Sequence, residues 1–167
     1  LMHFFLFWGM FFLLVATTLG AAEFNWHKYI ASTVGFEFPT ASARVYTSLL
    51  WDVLGGGFLL AGLVMAIYRR YVIKPARLNT FVDDGIILSL LMALTITGFL
   101  IEGLRIASTE LNPASDLYAP GEAPWSIIGY VIALIFREAG PSLSAMEIGH
   151  FILYWVHIGM YVGGFVY

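Results

Sequence analysis

Residues 2–20 read MHFFLFWGMFFLLVATTLG, without a single charged side chain. A bilayer core of about 30 Å takes roughly 20 helical residues to cross, and this run is that long and that apolar. It lacks the basic lead of a processed signal peptide. The rest of the chain continues in the same way. Of its 167 residues, 60% are hydrophobic and 11% charged, against about half and about a quarter in soluble domains. A water-facing fold of this size has nowhere to put that much apolar surface. The net charge of −3 is near balance and does not point to nucleic acid, and the absence of cysteine excludes disulfides, thiolate-bound zinc and an iron–sulfur cluster within the chain.

Outward from the first block (residues 1–22), a mixed connection over 23–44 carries Glu23, His27, Lys28, Glu37, Pro39 and Arg44, with Trp26 and Tyr29 marking an interfacial segment. A second apolar block covers 46–68, with Asp52 near its start and Gly55-Gly56-Gly57 just after it. Small residues of this kind let membrane helices approach closely. The linker after it holds Arg69, Arg70, Lys74 and Arg77, half of the eight Lys and Arg in the chain. The short basic loop 69–79 is therefore expected in the cytoplasm, with Pro75 forbidding a straight helix through it. A third block, 83–106, opens on Asp83 and Asp84, suited to the positive end of the helix dipole. Near its far end Glu102 and Arg105 lie three apart on one face, which reads most simply as a structural ion pair. A polar loop with Pro113, Pro120 and Pro124 leads to a stretch, 125–136, too short to span. A turn at Gly140-Pro141 precedes the last block, 145–167.

The expected fold is all-α: an integral membrane helical bundle of four full transmembrane helices plus one short outer-side or re-entrant helix. It forms a single domain over 1–167. The opening Leu1-Met2 and the apolar close at Tyr167 lead us to expect a fragment of a longer chain, its N-terminal helix and C-terminal end missing. The basic loop orients the bundle in the cell's inner membrane, a multi-pass protein in the lipid bilayer.

Of the four histidines, His3, His27, His150 and His157, the last is the most informative. An ionisable group inside a membrane helix is costly and needs a reason. His157 lies about eleven residues into its helix, roughly 16 Å deep. Haem iron is a fitting partner, because histidine is a common axial ligand; the alternative is an imidazole hydrogen-bonded to a neighbouring helix. His150, seven residues earlier, shares its face but sits nearer water, and two stacked haems about 10 Å apart on one helix would crowd. His3 stands at the inner end of its helix, roughly 10 Å deeper toward the cytoplasm than His157 by helical rise, so the two are expected on different haems. Gly9 either leaves room for a flat macrocycle or lets helices touch. His27 reads most simply as a surface histidine.

The run MHFFLFWGMFFLLVATT resembles the haem-bearing second helix of the membrane cytochrome b family that includes the gamma subunit of respiratory nitrate reductase. RRYVIKPARL (69–78), DDGIILSLLMALTITGFLIEGLRIA (83–107), WSIIG (125–129) and HFILYWVH (150–157) are similar to segments of the membrane domain of heterodisulfide-reductase-like iron–sulfur menaquinone oxidoreductases. That resemblance covers most of the chain in order. It implies haem b, one or two, with His3 and His157 as ligands of haem iron, His150 and Gly9 at the cofactor, menaquinone as substrate, and an iron–sulfur partner protein or domain on the cytoplasmic side. In that family the last helix continues through a proline and a basic residue to a further histidine, which the partner of His3 would be. A second histidine of the nitrate reductase pattern is Leu13 here.

The function expected is quinone-linked electron transfer, as the membrane part of an oxidoreductase. Asp83 and Asp84 near the inner surface, and Asp52, Glu102 and Arg105 near the outer, are the polar groups available to a quinone pocket, although Asp83 and Asp84 read first as a helix start. The alternative is a non-redox membrane anchor or assembly subunit with structural histidines. A transporter would call for paired broken helices or an inverted repeat, and neither stands in the sequence.

Overall fold

The computed structural model describes residues 1–25, 29, 47–76, 79 and 81–166, and among them every regular element is helical. Helix α1 is Met2–Asn25. The second rod, Thr47–Ile73, has α2 (Phe58–Ile67) at its centre, with π-helical turns before it (Leu50–Gly57) and after it (Tyr68–Ile73). Helix α3 is Val82–Ser108, α4 is Ile127–Glu138 and α5 is Leu143–Val166.

Three of these, Met2–Ala22, Thr47–Ile73 and Val82–Ser108, are long and apolar enough to cross a membrane. Only 11% of the most apolar stretch of α1, and 11% of that of α3, is buried within the bundle. Their apolar side chains, such as Phe7, Phe11 and Leu14 on α1, lie on the outside, where lipid and not water suits them. Helix α5 has the length, but Glu147, His150 and His157 interrupt its apolar surface. Helix α4 is short, as the sequence leads one to expect.

The second rod runs further than its apolar block. Arg69 and Arg70, expected in the loop, are helical, and the helix closes on Lys74 in the left-handed conformation (φ 48°) ahead of Pro75. Proline removes the amide that would continue the ladder, so the break falls at Pro75 and not at the first charge. Helix α3 starts where Asp84 Oδ2 accepts from the Phe81 amide at 2.9 Å. The carboxylate both caps the chain entry and faces the positive end of the dipole.

Glycine contacts give the register. On α1 and the second rod, Leu6 meets Gly62, Gly9 meets Leu59 and Leu13 meets Gly55, so the two run antiparallel. A Cβ on Gly9 would lie 2.5 Å from the Leu59 amide nitrogen; the missing side chain is what lets these backbones touch. Phe99 on Gly56 and Tyr71 on Gly85 set α3 antiparallel to the second rod. Leu104 on Gly149, His157 on Gly98 and Leu90 on Gly164 do the same for α3 and α5.

Helix α4 breaks the alternation. Gly129 lies on Glu102, Ile132 on Gly103, and Ala133 packs with Ile106 and Ala107. Contacts climb α3 in the same direction as α4 itself, so the loop after Ser108 turns back into the bundle before α4 sets out. Helix α4 therefore runs parallel to α3, although it follows it in the chain.

Candidate cofactor site

His157 is half-buried against α3. Its Nδ1 lies 2.9 Å from Thr97 Oγ1, and that hydroxyl also lies 2.8 Å from the Ala93 carbonyl. A hydroxyl has one proton. With that proton donated to the Ala93 carbonyl, Thr97 accepts from His157 Nδ1–H. The Nε2 lone pair is then free, which is the tautomer a metal-binding histidine uses and the kind of partner that orients it. Next to Thr97, Gly98 offers no side chain; a Cβ there would stand 3.6 Å from His157 Cε1.

His150 lies nearer the start of α5. It stacks with Tyr154 at 6.5 Å and lines a cleft of about 210 Å³ with Arg105, Ser108, Thr109 and Glu147. It belongs to this polar cleft, not to the level of His157. Arg105 forms its ion pair with Glu110, not with Glu102, which corrects the pairing expected from spacing. The helix ends at Ser108, and Thr109 folds its hydroxyl onto the Arg105 carbonyl at 2.6 Å. Glu110 is thereby turned back within reach of the guanidinium.

Glu102 faces the bundle interior instead, beside Asp52, Ser126 and Gly129. Asp52 is fully buried at 0% exposure. Its Oδ2 accepts from the Ile128 amide at 2.6 Å and its Oδ1 from the Gly129 amide at 3.1 Å. The carboxylate of one helix thus satisfies the first amides of another, which otherwise have no partner in a helix start.

His3 sits at the opposite end. It is exposed and lines a pocket of about 290 Å³ with Leu6, Ala66, Leu88, Arg69 and Arg70. Arg70 Nη2 lies 3.0 Å from Asp84 Oδ2, so Asp84 is engaged in starting a helix and holding a cation. On α3, Leu88 and Thr97 stand nine residues apart, about 13 Å along the axis. His3 and His157 are therefore at different depths, as helix counting from the sequence indicates. Gly9, for its part, takes the packing role against Leu59, and Leu13 is packed onto Gly55. His27 lies outside the described residues.

Sequence reasoning singled out the histidines but not Thr97. A threonine inside an apolar helix is common, and its bond to the carbonyl four residues back hides it. Pairing α3 with α5 as antiparallel neighbours would have brought it opposite His157.

Among the described residues no group of three or more His, Cys, Asp or Glu is placed to hold a bare metal ion. Haem asks less of a protein, since the macrocycle supplies the equatorial nitrogens and the chain only axial ligands.

Fold and side chains together define an all-helical bundle with membrane-length apolar helices and an oriented imidazole between two of its long helices. Over 161 residues, 95% of its length, the chain is 34% identical to EtfAB:quinone oxidoreductase of Syntrophomonas wolfei subsp. wolfei, and it spans 21% of the length of that protein. No protein-family model matches the chain, and no solved structure matches it.

Proposed function

We propose that this chain is the membrane electron-transfer part of a quinone-linked oxidoreductase. It holds haem b through His157 and, at a second depth, through His3. It passes electrons between a quinone pool, menaquinone by the cytochrome b resemblance, and an iron–sulfur partner at the Arg69–Arg70 end. In this reading α5 is the fourth span and the loop 69–79 faces the cytoplasm across the inner membrane.

The observation that carries the reading is the Thr97 hydroxyl 2.9 Å from His157 Nδ1, which, accepting from Nδ1–H, leaves Nε2 to coordinate. The name of the similar protein, a quinone oxidoreductase, supports the quinone part. Haem b, when bound, supplies one-electron chemistry at a potential set by ligation and burial. The chain's own residues do the rest: Thr97 fixes the imbalance between the two imidazole nitrogens, and Gly98 leaves space at the ring. A quinone also exchanges protons, and the cleft beside Arg105 holds a carboxyl, Glu147, and an imidazole, His150, near which that step could take place.

The test is optical. Protein purified from membranes is reduced with dithionite and, separately, with a menaquinol analogue. The expected result is a low-spin b-type spectrum, part of which the quinol alone brings up. A protein with no chromophore is a membrane anchor with structural histidines; a chromophore that no quinol reduces removes the quinone from the reading.

A further inference from the structure

The pocket at His3 contains two guanidinium groups, of which the chain compensates one, Arg70, through Asp84. Arg69 and Arg70 are both half-buried in its wall. Arg70 turns Nη2 to Asp84, yet its Nε is buried and has no hydrogen-bond partner. Arg69 has no carboxylate partner among the described residues. A buried donor left without an acceptor costs about 1–3 kcal/mol, more when charged, so each such group calls for a partner.

The rest of the pocket restricts what that partner is. Leu6, Ala66 and Leu88 make apolar walls, and His3 presents an imidazole. A ligand that suits all of these has a flat or compact apolar body, a centre that an imidazole binds, and anionic oxygens at one edge. Guanidinium groups match carboxylates in a two-pronged geometry that a lysine does not offer. Haem carries its two propionate carboxylates on one edge of an apolar ring, with iron at the centre.

We infer that Arg69 and Arg70 bind the propionate carboxylates of the haem held by His3. The inference rests on the proposed haem role of His3. It assigns a shared task to Arg69 and to Arg70, the second of which also pairs with Asp84. The same guanidinium pair would accept a second source of anionic oxygen at this depth, the phosphate of an inner-leaflet phospholipid, and the experiment separates the two.

Haem-depleted protein is titrated with protohaem and with protohaem dimethyl ester, whose carboxylates are blocked while iron and ring are unchanged. The signal followed is the part of the visible spectrum lost in His3→Ala. Unaltered protein is expected to bind the free acid at least tenfold more tightly than the ester at this site. The double variant Arg69→Gln/Arg70→Gln is expected to bind the free acid at least tenfold more weakly and to lose the preference. Equal binding of acid and ester by the unaltered protein overturns the assignment. If that equality comes with phospholipid phosphorus retained by the unaltered protein and lost from the double variant, the anion is the lipid's. Should the double variant fail to fold, the ester comparison on unaltered protein decides alone. If His3→Ala leaves haem content unchanged, the haem role of His3 falls and the propionate assignment with it; if His3→Ala removes a haem but the ester binds as well as the acid, only the assignment falls.

Discussion

The two ends of the bundle treat their buried polar groups in opposite ways. At the α4 end, Asp52 is completely enclosed, and both its oxygens take backbone amides of Ile128 and Gly129. At the His3 end, Arg70 Nε is enclosed and takes nothing. Both are charged groups in a largely apolar molecule. The first is explained within the chain, by a helix start that has no other partner. The second is held through Nη2 by Asp84 but leaves Nε unmatched, and with Arg69 it lines the pocket to which we assign a bound molecule.

The comparison breaks if Asp52 turns out to be dispensable. Asp52→Ala leaves the two amides of α4 buried without an acceptor, and each bond to a charged group is worth about 1.5–3 kcal/mol. Part of that is offset because a carboxylate no longer has to be desolvated. We expect a loss of about 2–4 kcal/mol, read as a lower Tm in detergent together with faster proteolysis in the 109–126 loop. An unchanged Tm would show that α4 does not depend on this cap.

Thr97→Val tests the middle of the molecule. The hydroxyl that holds His157 Nδ1 is lost, while shape and apolar packing are kept. Outer partners of metal ligands typically contribute about 10–100-fold in affinity, so haem binding should weaken by about tenfold, with little change in Tm. Thr97→Ser, which keeps the hydroxyl, should restore it. Equal affinity in Thr97→Val and the unaltered protein would mean that Thr97 does not orient the ring.

The smallest effect on folding should come from the open end. Arg69→Gln removes a cation with no carboxylate partner among the described residues, and such changes stay within about 0.5 kcal/mol. Its Tm should match that of the unaltered protein within a few degrees. A drop as large as that of Asp52→Ala would make Arg69 structural and erase the contrast between the two ends.

The sequence carried the coarse architecture because that architecture is made of run lengths. Apolar runs with few charges and near bilayer length marked the long helices, and Pro75 and Gly140-Pro141 marked breaks. It also placed the short helix and, by counting rise per residue, the difference in depth between His3 and His157. Pairings were harder to read. Glu102 and Arg105 share a helical face, yet Arg105 goes to Glu110 because the helix ends at Ser108 and the chain doubles back. No spacing rule links Asp52 to Ile128, seventy-six residues away; that contact exists only because α4 starts inside the bundle. Arg69 and Arg70 read as loop, since a cluster of charges usually ends a membrane helix, but the backbone continues to the residue where proline forces a stop.

The most direct test of the account is the haem content of His157→Ala, measured as haem per chain on protein purified from membranes beside the unaltered form. Thr97 lies against Nδ1 of His157, and with its own proton on the Ala93 carbonyl it leaves the Nε2 lone pair for iron. We expect the variant to lose about one haem per chain while the chain remains folded and the haem assigned to His3 remains visible. Unchanged haem content with an unchanged spectrum would contradict the account, and would leave the Thr97–His157 bond as a contact that merely holds two helices together.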